Sequence, residues 1–225
     1  MPVEILETLE IETGPAPTAS IVLMHGLGAD CHDFEPLAQE LDLSRAGAVR
    51  YVFPNAPQIP VTINGGFVMP AWYDIRGADI ATREDEAGLR ASQASIETLV
   101  AREKARGIPA GRIVLAGFSQ GAAMALMTGL RHPERLAGIV GLSGYLPLAV
   151  QTAAERHAAN FDTPVLLAHG RQDDVVPISR ASASRDALAA LGYRVSWHDY
   201  AMGHSVCPEE LLDLNRWLLS VLAPV

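Results

Sequence analysis

Ile113-Val114-Leu115-Ala116-Gly117-Phe118-Ser119-Gln120-Gly121 is the stretch on which the fold turns. Its first four residues are apolar without alternation, too few for a helix and bounded by glycine. Such a run reads as a strand covered on both faces, as in the middle of a parallel sheet. Residues 120–131, rich in Ala, Met and Leu, read as a helix. The strand therefore enters the helix through a turn centred on Ser119. Gly117 and Gly121 remove the side chains that would crowd such a turn. The serine is left beside a helix start, where unpaired N–H groups and the dipole favour negative charge. Gly-x-Ser-x-Gly is weak as a bare pattern, because both residue types are common. The strand-turn-helix setting makes it a nucleophile elbow.

Outward from this point, strand-length apolar runs alternate with helix-length amphipathic ones. Upstream, residues 3–11 read as an edge strand, and residues 21–25 and 49–53 as inner strands. Asp33 is placed to cap a helix over residues 34–41, with Pro36 in its first turn. Residues 54–72 are loop-like and proline-rich, with a small hairpin around Asn64-Gly65-Gly66. Residues 83–106 form the longest helical pattern, with Leu89, Ile96, Leu99 and Val100 on one face and Gly107 at its stop. Downstream, residues 136–142, 165–168 and 194–200 read as strands. Residues 149–159, 179–191 and 208–222 read as helices. The alternation predicts one α/β domain over residues 1–225, a mostly parallel central sheet with helices on both faces. Residues 143–164 have room for one helix and two connections, so no large cap domain is expected and the site should be open to water.

The 225 residues are 49% hydrophobic, and such a length suits one large domain. It buries roughly 70–75% of its unfolded surface without needing a disulfide or metal. The net charge of −9 repels phosphates, which argues against nucleic acid and against stable membrane association. No apolar run approaches the ~20 residues of a membrane span. Met1-Pro2-Val3-Glu4-Ile5-Leu6-Glu7 is acidic and lacks the pattern of a signal peptide. Cys31 and Cys207 are too few for a disulfide scaffold. The expectation is a cytoplasmic protein with free thiols; a homodimer is left open.

A serine hydroxyl needs a base, and the base needs an orienting group. Downstream of the elbow, His169-Gly170-Arg171-Gln172-Asp173-Asp174-Val175-Val176-Pro177 follows one strand and Gly203-His204-Ser205 the next. Both loops fall at strand C-termini, where α/β sheets build their sites. The order Ser, acid, His suits an elbow serine. Spacing alone does not choose between Asp173 and Asp174. His157 and His198 fall in helix and strand patterns, His132 reads as a helix C-cap, and His25 and His169 end strands; these read as structural. His25-Gly26-Leu27-Gly28 follows the strand at 21–25. A backbone N–H from this loop, with that of Gln120, would make an oxyanion hole. Asp30-Cys31-His32-Asp33 has ligand-type side chains, but adjacent residues rarely converge on one ion, so no metal is expected. No cofactor is implied.

These stretches, with Leu23-Met24, Phe53-Pro54-Asn55-Ala56-Pro57, Met69-Pro70-Ala71-Trp72-Tyr73-Asp74 and Leu142-Ser143-Gly144, resemble the carboxylesterase and acyl-protein thioesterase group of α/β-hydrolases, also called the phospholipase/carboxylesterase family. The resemblance covers nearly the whole chain. It implies Ser119 as nucleophile, His204 as base and, through the pattern H-G-x-x-D-x-x-V-P, Asp173 as orienting acid. It implies Leu27 and Gln120 as oxyanion donors and brings Trp72, Met69 and Phe67 to the substrate pocket. Ala122 departs from the second glycine usual after the elbow. The activity expected is that of a serine carboxylesterase on short-to-medium-chain esters, through an acyl-enzyme on Ser119. An acyl-protein thioesterase, a lysophospholipase or a transacylase would use the same three residues. A catalytically dead binding protein is the remote alternative, against which the intact set argues.

Overall fold

The strand that ends in the elbow lies at the centre of the sheet, with three strands on either side. The computed structural model describes residues 5–77 and 84–223. In chain order the elements are β1 (Thr8–Glu12), β2 (Ala19–Met24), α1 (Leu37–Glu40), β3 (Val49–Pro54), β4 (Gln58–Val61), β5 (Phe67–Pro70), α2 (Glu86–Ala105), β6 (Ile113–Phe118), α3 (Gln120–Arg131), β7 (Gly138–Leu142), α4 (Ala149–Glu155), β8 (Val165–Gly170), α5 (Ile178–Ala190), β9 (Val195–Tyr200) and α6 (Pro208–Val221). The main sheet runs β1-β3-β2-β6-β7-β8-β9. Among the described residues, only β1 is antiparallel in this sheet, pairing from Thr8–Pro54 to Glu12–Arg50. β4 and β5 form a separate hairpin.

Successive side chains of a strand point to opposite faces, and both faces here are covered. Ile113 and Leu115 join a core with Ile96 and Leu99 of α2 and Met124 of α3. Val114 and Ala116 join a second core with Leu37 of α1 and Leu214 and Leu218 of α6. Two-sided burial is why β6 reads as an unbroken apolar run. Every residue of α3 is buried, which accounts for its lack of charge before Arg131.

Three sequence expectations need correction. Residues 34–41 do not form a full helix: α1 spans only Leu37–Glu40, led by Pro36 with no side-chain cap from Asp33. The preceding residues make successive tight turns, Asp33 N–H to Asp30 O and Glu35 N–H to His32 O, and so enter the helix late. The helix at 149–159 breaks at Glu155, because Arg156 is extended (φ −61°, ψ 138°). The His157 ring then accepts from Ala159 N–H and starts a separate 3-10 turn, so it caps rather than sits in a helix. α2 starts at Glu86 and β1 at Thr8, both later than the expected 83 and 3, with residues 5–7 outside any strand; residues 83, 3 and 4 lie outside the described residues. Between β7 and β8 the chain holds only α4 and this 3-10 turn, so there is no large cap.

Glu210, in the first turn of α6, is only 1% exposed. Burial pushes its carboxyl up to about 8. Between the ordinary carboxylate range and pH 8 it is protonated when folded and ionised when unfolded. Its favourable contribution is complete below the unfolded value and is lost as pH rises through 8. Glu210→Gln removes this titration. The expected result is a melting-temperature advantage of the variant that is near zero at pH 5 and grows to several degrees at pH 9, on the order of a few kcal/mol. An offset independent of pH would contradict it.

Candidate active site

β6 delivers Ser119 in a conformation that non-glycine residues rarely adopt, φ 55° and ψ −116°. The surrounding backbone holds it there. Ser119 N–H donates to Leu142 O at 2.9 Å, and Ser119 O accepts from Ala123 N–H at 3.2 Å. The flanking glycines are demanded by contact: a Cβ on Gly117 would overlap the Gly121 carbonyl, and one on Gly121 would overlap the Met24 carbonyl. The extra methyl of Ala122 is accommodated by Gly144, whose own Cβ would overlap it and lie 2.9 Å from Ser119 O.

Three loops meet at the C-terminal edge of the sheet. His204 Nε2 lies 3.0 Å from Ser119 Oγ, and His204 Nδ1 lies 2.7 Å from Asp173 Oδ2. The buried carboxylate of Asp173 can only accept. Nδ1 therefore donates to it, leaving Nε2 free to accept from the serine hydroxyl. Asp173 Oδ1 accepts from the N–H groups of Val175 (3.0 Å) and Val176 (2.7 Å). His169 Nε2 donates to Val176 O at 2.7 Å and lies 3.3 Å from Asp173 Oδ2. Burial lowers the His169 pKa, with the bond to Val176 opposing. The acid and histidine loops are joined by backbone: Arg171 N–H donates to Tyr200 O (2.8 Å) and Gln172 N–H to Met202 O (3.0 Å). Asp174 is exposed and stands at the rim of the cavity beside Ser119.

The loop after β2 lies against the serine, since a Cβ on Gly26 would sit 3.4 Å from Ser119 Cβ. Among the described residues, nothing accepts from the N–H of Leu27. Gln120 is the first residue of α3, where the N–H has no partner within the helix. Its side chain braces the neighbouring segment: Oε1 accepts from Trp72 N–H (3.0 Å) and Nε2 donates to Tyr73 O (2.9 Å).

A cavity of about 510 Å³ opens beside Ser119, and its lining includes the apolar Leu27, Ile63, Ile75 and Val176 and the polar Tyr73, Tyr145 and Arg180. The two tyrosine hydroxyls are 2.8 Å apart. Burial pushes Tyr145 up to about 12 and Tyr73 well above its ordinary value, so both are neutral. The pocket residues expected from sequence are not its lining. Trp72 is 1% exposed, with Nε1 donating to His25 O at 2.9 Å. Met69 Sδ accepts from Asn64 Nδ2 within the hairpin, and Phe67 is 70% exposed on it. Ile63, on the same hairpin, does line the cavity. The turn that carries it is fastened to Asp74, which accepts from Thr62 N–H (2.7 Å) and Thr62 Oγ1 (2.6 Å), and Ile63 N–H donates to Ile75 O (2.9 Å).

Cys31 and Cys207 are free, and burial pushes both thiols up, away from thiolate reactivity. In the Asp30–Asp33 cluster, the His32 ring turns to Glu35 Oε2 at 3.0 Å, and Asp30 Oδ1 accepts from His32 N–H.

A parallel sheet with a central serine elbow, and with an aspartate and a histidine on later strand ends, is the architecture of an α/β-hydrolase, and the protein is a serine hydrolase. The chain belongs to the phospholipase/carboxylesterase family, whose sequence model matches residues 7–222. It is 40% identical over 215 residues to a protein named acyl-protein thioesterase 1 from Yarrowia lipolytica, covering 93% of this chain and 95% of that one. Its fold superimposes on the crystal structure of Zea mays acyl-protein thioesterase 2 with a TM-score of 0.83 at 31% identity, covering 96% of this chain and 99% of that one. Esterase PE8 matches with a TM-score of 0.83 at 30% identity, over 97% of this chain and all of that one. Among the described residues, no helix is long and apolar enough to cross a membrane.

Proposed function

We propose that this serine hydrolase cleaves acyl thioesters, S-acylated cysteine in proteins among them, and that carboxylic esters are secondary substrates. The carrying observation is the unbroken line from Ser119 Oγ through His204 to the buried Asp173, opening on a cavity with apolar walls. His204 Nε2 takes the hydroxyl proton as Ser119 Oγ attacks the acyl carbon. The N–H groups of Leu27 and Gln120 hold the oxyanion, and Asp173 stabilises the imidazolium. The C–S bond breaks, and the departing sulfur takes the proton from His204. Water, deprotonated by His204, then releases the acid and frees Ser119. The acyl chain lies along Ile63, Ile75 and Val176.

The expected preference for short-to-medium-chain esters gives way to thioesters because of the names carried by relatives at 40% and 31% identity. The similarity to esterase PE8, and the presence of Tyr73, Tyr145 and Arg180 in the lining, favour the small-ester reading as second. The test is a matched pair of peptides bearing the same acyl chain on cysteine or serine, each rate normalised to its hydroxide-catalysed hydrolysis. The expected kcat/KM ratio favours the thioester by about tenfold or more. Equality or a preference for the ester would return the protein to the carboxylesterase reading.

A further inference from the structure

We infer that His25 is a positioning residue that aims the Leu27 N–H into the oxyanion hole by holding the carbonyl of the same peptide unit. The inference rests on the reading of Leu27 as an oxyanion donor. Gly26 O and Leu27 N–H belong to one trans peptide plane, so they point in opposite directions. Whatever fixes the carbonyl also fixes the N–H. His25 Nδ1 is 2.7 Å from Gly26 O, which can only accept, so Nδ1 carries the hydrogen. The other ring nitrogen, Nε2, accepts from Ala56 N–H at 3.0 Å and so selects that tautomer. Ala29 N–H, at 3.3 Å, is a second donor to the same carbonyl. The ring is itself held: Trp72 Nε1 donates to His25 O and the two rings lie 5.5 Å apart.

This arrangement gives Trp72 and the Phe53–Pro57 stretch one shared task. Ala56 supplies the N–H that sets the His25 tautomer, and Trp72 anchors the residue from its backbone side. Gln120, whose own N–H is the second donor, holds Trp72 by its side chain. Both donors are thus tied to one buried network. A general packing role for His25 would also explain its 2% exposure, but it would leave the bond to Gly26 O without consequence for the chemistry.

The test compares three variants. His25→Asn keeps an N–H donor near the Nδ1 position. His25→Gln keeps a partner for Ala56 but loses the donor to Gly26 O, and His25→Phe loses both. His25→Gln and His25→Phe should lower kcat by about 10–100-fold, less than or equal to outright removal of an oxyanion donor, with KM within about twofold. His25→Asn should recover most of the loss. An alkyl trifluoromethyl ketone, which forms a hemiketal oxyanion on a serine, provides the specific readout. Its affinity should fall in step with kcat, and its hemiketal should titrate at higher pH by ¹⁹F NMR. Unchanged kcat and hemiketal behaviour in His25→Gln would overturn the inference, as would an Asn variant no better than Phe. On the unaltered protein, ¹⁵N NMR should find His25 protonated at Nδ1 and bare at Nε2. The opposite tautomer would overturn the inference even if the variants fail to fold. A fully active Ser119→Ala variant would instead overturn the underlying reading.

Discussion

Ser119→Ala and His204→Ala are each expected to lower kcat by about 10⁴–10⁶-fold while leaving the fold in place. The size follows from their acting as one unit: without the base the hydroxyl is a poor nucleophile, and without the hydroxyl the base has nothing to activate. The stability of the variants follows from the bonds left behind. Among the described residues, Ser119 Oγ is engaged only by His204, so its loss orphans no other buried group described. Removing His204 leaves Asp173 with the N–H groups of Val175 and Val176 and with His169 nearby. The double variant should be about as slow as either single one, and melting curves should nearly overlay. Turnover close to normal in either purified variant would refute the mechanism.

Asp173→Asn should cost on the order of 10⁴-fold in kcat, through the wrong imidazole tautomer. The backbone N–H groups of Val175 and Val176 require an acceptor, so an asparagine must turn its oxygen toward them. Its NH₂ then faces His204 Nδ1 and forces the proton onto Nε2, which can no longer accept from Ser119. The same NH₂ meets His169 Nε2–H, so some loss of stability should accompany the loss of rate. Asp174→Asn, at the exposed rim, should change kcat by no more than about threefold. Steady-state rates on one thioester decide it, and the reverse ranking would move the acid to Asp174.

Much of this was legible in the sequence, for reasons that can be named. The bounds of α3 match the expected helix at 120–131, because a glycine-flanked serine sets its start and Arg131-His132-Pro133 its end. The central parallel strands β6 and β7 were visible because two-sided burial leaves no polar residue in them. The order of Ser119, Asp173 and His204 located three loops on one edge, and the structure places those side chains in contact. Most of what could not be read depended on long-range partners. The hairpin was visible from Asn64-Gly65-Gly66, but not that Asp74 would fasten its turn and so bring Ile63 rather than Phe67 to the cavity. The burial of Trp72 could not be read either, because its indole N–H finds its acceptor 47 positions away at His25. His25 itself read as a structural histidine at a strand end. Its bond to the next residue's carbonyl is a local geometry that residue type does not encode.

The central claim is a covalent acyl group on Ser119, and trapping it is the most direct measurement. The protein is mixed with an acyl thioester, quenched in acid within the first turnovers, digested and mapped by mass spectrometry. The predicted result is an added acyl mass on the peptide containing Ser119, absent from Ser119→Ala. An acyl group found instead on Cys31 or Cys207, or product formed with no modified peptide at any time, would contradict the account.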